Sequence, residues 1–401
     1  MKADGGAADA SRRVLVTGAT GLLGSHLVER LVARGDCVRA LVRPSSVTEF
    51  LDDRGVEVER GDLTDASACD RALDGVDVVY HCAAKVGDWG SWSEFQVGCI
   101  DATRTLAEAA VRARVDRFVH VSSTSAYGHP RDRDEPITEA YPLGDDIWLL
   151  DYYTRSKVDC ERLLWKLAET DALPLTVIRP SWIFGERDRT TMPRLIQEFR
   201  WNRVSIVGKG DNPLSAVYAG VVADAAILAA DDPGSVGEAY NITSHAAITQ
   251  RQFLDMLADA LKAPRVTWRY PFLYAFYGGF ALELRERLRR SKKPPQVTRY
   301  GAWLLGRRLS YSTEKAREKL GWTPALSYQE SIDRTVAWFL ADPEARIPRR
   351  KTPAVVAIRR ALGLLRTEPA AAPRSPGRAS DSSATEPENS PERPAPARGS
   401  G

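Results

Sequence analysis

The sequence predicts an α/β protein in which a doubly wound parallel sheet is joined to a smaller, mostly helical lobe. Three observations carry this expectation. Between residues 13 and 179, short runs rich in Val, Ile and Leu alternate with segments of helical periodicity, the pattern of a parallel sheet covered on both faces. The first run, 13–17, passes through Gly18, Gly21 and Gly24 into apolar positions at helical spacing over 22–32, which reads as strand, tight turn and helix. Beyond Gly185 the strands shorten and helical patterns dominate.

In order, further strands are expected at 37–42, 56–59, 76–82, 117–122 and 175–179, with helices near 94–113 and 152–169 between the later ones. The second lobe is expected to hold helices at 191–201, 220–230, 249–261, 313–320 and 328–340, and short strands at 204–207 and 239–242. The resulting domains are a flexible start (1–11), a dinucleotide-binding domain (12–184), a substrate lobe interleaved with it (185–348) and a tail (349–401). Pro, Ala, Ser, Glu and Arg dominate the tail, which therefore lacks the apolar surface needed to fold.

A chain of 401 residues with 43% hydrophobic content can bury a sizeable core, and a net charge of +3 gives no case for nucleic-acid binding. The five cysteines (Cys37, Cys69, Cys82, Cys99, Cys160) show no CxxC or metal-ligand spacing; they read as reduced core thiols of a cytoplasmic protein, with no metal site. The first residues lack the apolar stretch of a secretory signal, and no window has the roughly 18 uncharged apolar residues of a membrane span.

Ligands of a doubly wound sheet collect at the carboxyl ends of its strands. Those ends carry Gly18 to Gly24, Arg43, Gly61-Asp62, Ala83-Ala84-Lys85, Ser122 to Tyr127 and Pro180 to Phe184. Glycines at the first end would admit a sharp turn and a close approach of backbone N–H groups to a pyrophosphate at the helix N-terminus, beginning at Leu22. Arg43 stands nineteen residues after Gly24, and no acid occupies that strand end; an arginine there accommodates a ribose 2′-phosphate, so NADP is the expected cofactor, with NAD as alternative. Tyr153 and Lys157 are one helical turn apart, where an ammonium favours the phenolate a general acid/base needs; a solvated surface pair is the competing reading.

Together, the TGxxGxxG turn, Gly61-Asp62-Leu63-Thr-Asp, Ser-Ser-x-x-x-Tyr-Gly at 122–128 and YxxxK resemble the extended short-chain dehydrogenase/reductase (NAD-dependent epimerase/dehydratase) superfamily, over about residues 12–345. The resemblance implies a Rossmann fold, Tyr153 as proton donor or acceptor, Lys157 tuning it and binding the nicotinamide ribose, Ser123 as donor to the substrate oxygen, and Asp62 and Leu63 facing the adenine. Ala83, Ala84, Lys85 and Pro180 fall along the same cofactor line. Where many members read Asn-Val-x-Gly-Thr, this chain reads Cys99-Ile-Asp-Ala-Thr103, so the Asn of that superfamily's proton relay is absent.

The segments at 81–90, 179–185 and 311–324 look like the 3β-hydroxysteroid dehydrogenase-like branch, whose nearby relatives include reducers of 2-alkyl-3-oxoalkanoates. Ser181 replaces the Asn usual in nucleotide-sugar epimerases, and Trp89, Trp92, Trp182 and Phe184 would line an apolar cleft unless they are simply core. His81 and His120 read as satisfied core histidines. The aromatic segment at 270–282 followed by the basic run 285–293 suits an interfacial helix making peripheral membrane contact, a helix capping the cleft, or a homodimer contact. The expectation is an NAD(P)-dependent oxidoreductase acting on a small apolar, sterol-like or 3-oxoacyl substrate. The alternatives are an epimerase or dehydratase, or a catalytically weak cofactor-binding protein.

Overall fold

The computed structural model describes residues 12–244 and 248–347. The expected flexible start and the tail lie outside the described residues, which all belong to one unit of the chain.

The chain begins with β1 (Arg13–Thr17), α1 (Leu22–Arg34), β2 (Cys37–Val42), α2 (Glu49–Asp52), β3 (Glu57–Arg60), α3 (Ala66–Leu73) and β4 (Val78–His81). Next come α4 (Trp92–Phe95), a π-helical turn at Gln96–Asp101, α5 (Ala102–Ala113), β5 (Arg117–Val121), α6 (Tyr152–Thr170), β6 (Leu175–Pro180) and β7 (Trp182–Phe184). The single helix expected near 94–113 is thus broken by one wide turn around Cys99. The remainder runs α7 (Met192–Arg200), β8 (Ile206–Val207), β9 (Pro213–Leu214), β10 (Ala216–Tyr218), α8 (Ala219–Asp231), β11 (Glu238–Ile242), β12 (Ile248–Thr249), α9 (Gln250–Ala260) and β13 (Arg269–Tyr270). The described part ends with α10 (Phe272–Leu288), α11 (Arg299–Gly306), α12 (Glu314–Leu320), α13 (Tyr328–Ala341) and the single turn α14 (Pro343–Arg346).

Among the described residues the main sheet has seven strands in the order β11-β6-β5-β4-β1-β2-β3, every pairing parallel. The strand expected at 239–242 in the second lobe is instead the edge strand of this sheet, because Glu238–Ile242 pairs in parallel with β6. The order reverses at β1, between β2 and β4, the switch point at which such sheets bind dinucleotides.

Alternation along β1 separates two cores. Val14 and Val16 pack with Leu23, Leu27 and Leu31 of α1 and with Val222 and Ala226 of α8, whereas Leu15 packs with Val79, Phe118, Leu106 of α5 and Leu164 of α6. The Ala-rich α8 packs closely on α1, so this helix of the expected second lobe covers the sheet. Cys69, Cys99 and Cys160 are buried and Cys82 is partly so; Cys37, at the outer start of β2, is exposed and is not a core thiol.

Candidate active site

The glycine turn is shaped by contacts that allow no side chain. Gly18 has φ +69°, and a Cβ there would lie 2.9 Å from the Ala83 backbone nitrogen at the end of β4. A Cβ on Gly24 would fall 2.2 Å from the Gly18 carbonyl oxygen, and the Gly21 N–H donates to that same oxygen at 2.8 Å. The N-terminus of α1 has no side-chain cap and no acid in its first turn, so its first N–H groups face the turn without an internal anion. These features fit a dinucleotide pyrophosphate, with Leu22 as the first helical residue.

Around that turn the predicted cofactor residues are spread over four strand ends. Arg43 is exposed just past β2. Asp62, past β3, accepts from the Thr64 hydroxyl at 2.7 Å and its N–H at 2.9 Å; these bonds, helped by Arg43, hold its carboxyl below the usual range. Leu63 is half-buried against the core that includes Leu15. Ala83 N–H donates to Thr17 Oγ1 at 3.2 Å, and Ala84 packs in the cluster around Phe95. Lys85 N–H points at the Cys99 sulfur at 3.3 Å, and its Nζ lies 3.8 Å from Glu94. The residue in place of the family's Asn therefore secures the loop after β4. Pro180 is buried at the end of β6, opposite Ile242 of β11.

The helix α6 starts at a built cap. Asp151 accepts from Thr154 N–H at 3.0 Å and Thr154 Oγ1 at 2.9 Å, and its other partner is His129 Nε2 at 2.8 Å. His129 stacks on Trp148 with ring centroids 3.7 Å apart. Burial opposes the Asp151 charge, but the His129 and Thr154 bonds win and keep its pKa below the ordinary value. Two residues on, Tyr153 is half-buried beside Phe95, Ile100 and Cys160, and one turn later Lys157 is buried with Nζ 3.4 Å from the Val121 carbonyl. The solvated surface pair does not occur.

Ser123 lies two residues beyond β5 with its Oγ accepting from Ser125 N–H at 3.1 Å and lying 2.8 Å from Ser125 Oγ, which is 3.1 Å from the Tyr300 hydroxyl of α11. The Tyr300 ring meets Tyr153 edge-on at 5.9 Å. Sequence reasoning missed Ser125 and Tyr300; the first stands inside a recognised motif, whereas nothing near Tyr300 in the chain marks it. It also missed the support below α6, where Glu161 accepts from Ser122 at 2.7 Å and from Arg179 Nε at 2.9 Å. Arg179 in turn donates to Tyr127, whose hydroxyl donates to Asn241 at 2.6 Å.

Of the two strand histidines, His81 is satisfied: Thr17 Oγ1 lies 2.8 Å from Nδ1 and Thr103 Oγ1 2.9 Å from Nε2. Burial, with Lys157 nearby, pulls its pKa down to about 3. His120 corrects the expectation, since it is buried beside His81 but neither ring nitrogen has a hydrogen-bond partner among the described residues. The proposed aromatic cleft also divides. Phe184 is fully buried and Trp182 packs on Phe253, so both are core, because β7 turns inward to pair with β10. Trp92 lies against Tyr152 at 5.8 Å, while Trp89 donates to the Ser291 carbonyl at 3.1 Å beyond α10.

Residues 14–243 match the NAD dependent epimerase/dehydratase family. The chain is 34% identical to the 2-alkyl-3-oxoalkanoate reductase of Stenotrophomonas maltophilia, covering 81% of this chain and 98% of that protein. It is 29% identical to a 3 beta-hydroxysteroid dehydrogenase/Delta 5-->4-isomerase of Mycobacterium tuberculosis, over 82% of this chain and 90% of that one. In fold it is similar to the UDP-glucuronic acid 4-epimerase of Bacillus cereus in complex with NAD, with TM-score 0.64, 21% identity, and coverage of 81% and 98%. With its glycine turn at the sheet's switch point and its YxxxK helix beside it, the chain belongs to the NAD dependent epimerase/dehydratase family, the extended short-chain dehydrogenases/reductases, as an NAD(P)-dependent oxidoreductase.

Proposed function

We propose that the protein interconverts a secondary alcohol and a ketone on an apolar substrate of the 3-oxoacyl or sterol-like kind, with NADP(H) preferred. The observation that carries this reading is the meeting of Tyr153, Lys157 and the Ser123 hydroxyl chain at one end of the sheet, with aromatic side chains around them. A bound nicotinamide supplies or accepts hydride. Tyr153 moves the proton at the substrate oxygen, Lys157 favours its phenolate, and Ser123 donates to the same oxygen. Aromatic packing of Trp92, Tyr152, Tyr153 and Tyr300 favours an apolar substrate over a sugar. Purified protein assayed with NADPH and NADH against 2-alkyl-3-oxoalkanoates and 3-oxosteroids tests the reading. Oxidation of the nucleotide with any of them supports it. Tightly retained nucleotide with no net redox change points to epimerase or dehydratase chemistry instead.

An apolar substrate gives a reason for contact with anionic lipid, and α10 offers a surface for it. Leu273, Tyr277, Leu284 and Leu288 repeat along one side of this helix and are 62%, 63%, 45% and 78% exposed. Arg285, Arg289, Arg290, Lys292 and Lys293 gather at its carboxyl end, complementary to an anionic leaflet. No helix among the described residues is long and apolar enough to cross a membrane, so the contact is peripheral. Phe276 points inward onto Trp148, so the outward test is the double variant Tyr277→Glu and Leu284→Glu. Wild type should co-sediment with vesicles containing phosphatidylglycerol, less so in high salt or with phosphatidylcholine alone, and the double variant should not. A stable dimer that the double variant dissociates, without vesicle binding, would assign the stripe to a second copy.

A further inference from the structure

Ser123 must present its hydroxyl proton to a substrate oxygen if it is to act as a donor, but a serine hydroxyl rotates freely and its direction has to be set by neighbours. Two neighbours bear on it. The Ser125 N–H points at Ser123 Oγ from 3.1 Å, a fixed donor that occupies one lone pair. Ser125 Oγ lies at 2.8 Å, and beyond it stands the Tyr300 hydroxyl at 3.1 Å.

The two ends of this chain are not equivalent. Tyr300 sits in a ring cluster, edge-on to His129 at 6.4 Å and tilted against Trp303 at 5.9 Å. Burial, with Tyr153 close by, pushes its pKa well above the ordinary phenol value, so Tyr300 keeps its proton. Ser125 Oγ is the one hydrogen-bond partner of the Tyr300 hydroxyl among the described residues, so the retained phenol proton, a better donor than a serine's, goes to Ser125. Ser125 then gives its own proton to Ser123, which accepts twice and is left with only its hydroxyl proton to offer outward. The opposite direction would spend the Ser123 proton inside the protein. Titratable groups facing Tyr300 are Tyr153 of α6, Asp151 at its cap, Tyr311 and the ring of His129, whose Nε2 is held by Asp151.

We propose that Ser125 and Tyr300 are positioning residues for Ser123: a one-way hydrogen-bond chain from α11 into the sheet that aims the Ser123 proton at the substrate oxygen. The proposal rests on the reading of Ser123 as substrate-oxygen donor. It also gives α11 a part in the chemistry, because the terminal donor comes from the second lobe and the serines come from the sheet. Hydrogen bonds in series polarise one another by about 10–30% per bond, so cutting the chain anywhere weakens the last donor.

Steady-state NADPH oxidation with a 2-alkyl-3-oxoalkanoate tests it in Tyr300→Phe, Ser125→Ala, Ser125→Thr and Ser123→Ala. Tyr300→Phe keeps the ring packing. Loss of one neutral hydrogen bond corresponds to a fall in kcat of about two- to tenfold, with KM for NADPH unchanged. Tyr300→Phe and Ser125→Ala together should be no worse than either alone, because both cut one chain, and neither should matter once Ser123 is Ala. Ser125→Thr, which keeps the hydroxyl, should restore kcat to within about twofold of wild type. If Ser123→Ala lowers kcat but Tyr300→Phe does not, the chain is wrong and the reading of Ser123 stands. If the effects of Tyr300→Phe and Ser125→Ala multiply, or persist in the Ser123→Ala background, the residues act structurally and the proposal falls. Full activity of Ser123→Ala, or a wild type inert toward every substrate tried, overturns the reading and the chain with it.

Discussion

Under α6, the Ser122, Glu161 and Arg179 side chains are almost wholly buried and each is hydrogen-bonded, while on α10 Leu273, Tyr277 and Leu288 stand largely in solvent. Both regions flank the same site. The sheet side holds its groups by a buried ion pair and hydrogen bonds that are costly to leave unmade. The α10–α11 side is held by ring contacts such as Phe276 on Trp148 and Tyr300 on Trp303 and by arginine bonds to loop carbonyls, such as Arg287 to Leu150, without a fully buried ion pair like that of Glu161 and Arg179. In the proposed function the acid/base groups belong to the rigid half, while α10–α11 contributes Tyr300 and the more exposed surface.

Breaking the rigid half should cost most. Tyr153→Phe removes the proton-transfer group and leaves its ring contacts, so kcat should fall about 10²- to 10⁴-fold while nucleotide binding by fluorescence titration is unchanged. Turnover within about threefold of wild type would move the acid/base role elsewhere. Glu161→Ala strands the buried Arg179 guanidinium and the Ser122 hydroxyl; urea unfolding should show a loss of about 3–5 kcal/mol. A loss below about 1 kcal/mol would mean that water replaces the carboxylate.

At the exposed rim of the same half, Arg43 is the residue proposed to favour NADP(H). A charge-assisted bond to a 2′-phosphate is worth about 1.5–3 kcal/mol, or roughly ten- to a hundredfold in affinity. Wild type should therefore favour NADPH over NADH by about tenfold or more in kcat/KM, and Arg43→Asp should narrow or reverse the ratio. Equal kinetics with both nucleotides would leave Arg43 as a surface residue.

The smallest effect sharpens the contrast within the sheet itself. His26 and His81 have pKa values pulled to about 3 and His120 is well below its ordinary value, in each case first by burial. The folded protein keeps these rings neutral while the unfolded chain protonates them below about pH 6.5. Their contribution is therefore intact above that pH and is lost as pH falls toward 3, by about 1.4 kcal/mol per pH unit for each histidine. His120→Leu removes two nitrogens that have no hydrogen-bond partner among the described residues, so it should raise stability by about 1 kcal/mol near neutral pH and flatten that acid slope by one histidine's share. An unchanged slope, measured by urea unfolding from pH 7 to 4.5, would show that His120 is solvated.

Sequence alone determined the elements that depend on neighbours in the chain. The period of apolar residues placed β1, β2, β5 and β6, and the Gly18–Gly24 spacing placed the turn, because a strand, a tight turn and a helix start are local events. Helical spacing likewise put Tyr153 and Lys157 on one face. Tertiary structure decided which side chains from distant segments meet. It made 238–242 an edge strand rather than part of the second lobe, turned Phe184 into core, left the His120 nitrogens without a hydrogen bond among the described residues, joined Glu161 to Arg179, and carried Tyr300 from α11 to Ser125 beside Tyr153. The physical reason is that such contacts depend on how sheet and helices pack. That packing is set by the summed burial of two cores and leaves no periodic trace around any one residue.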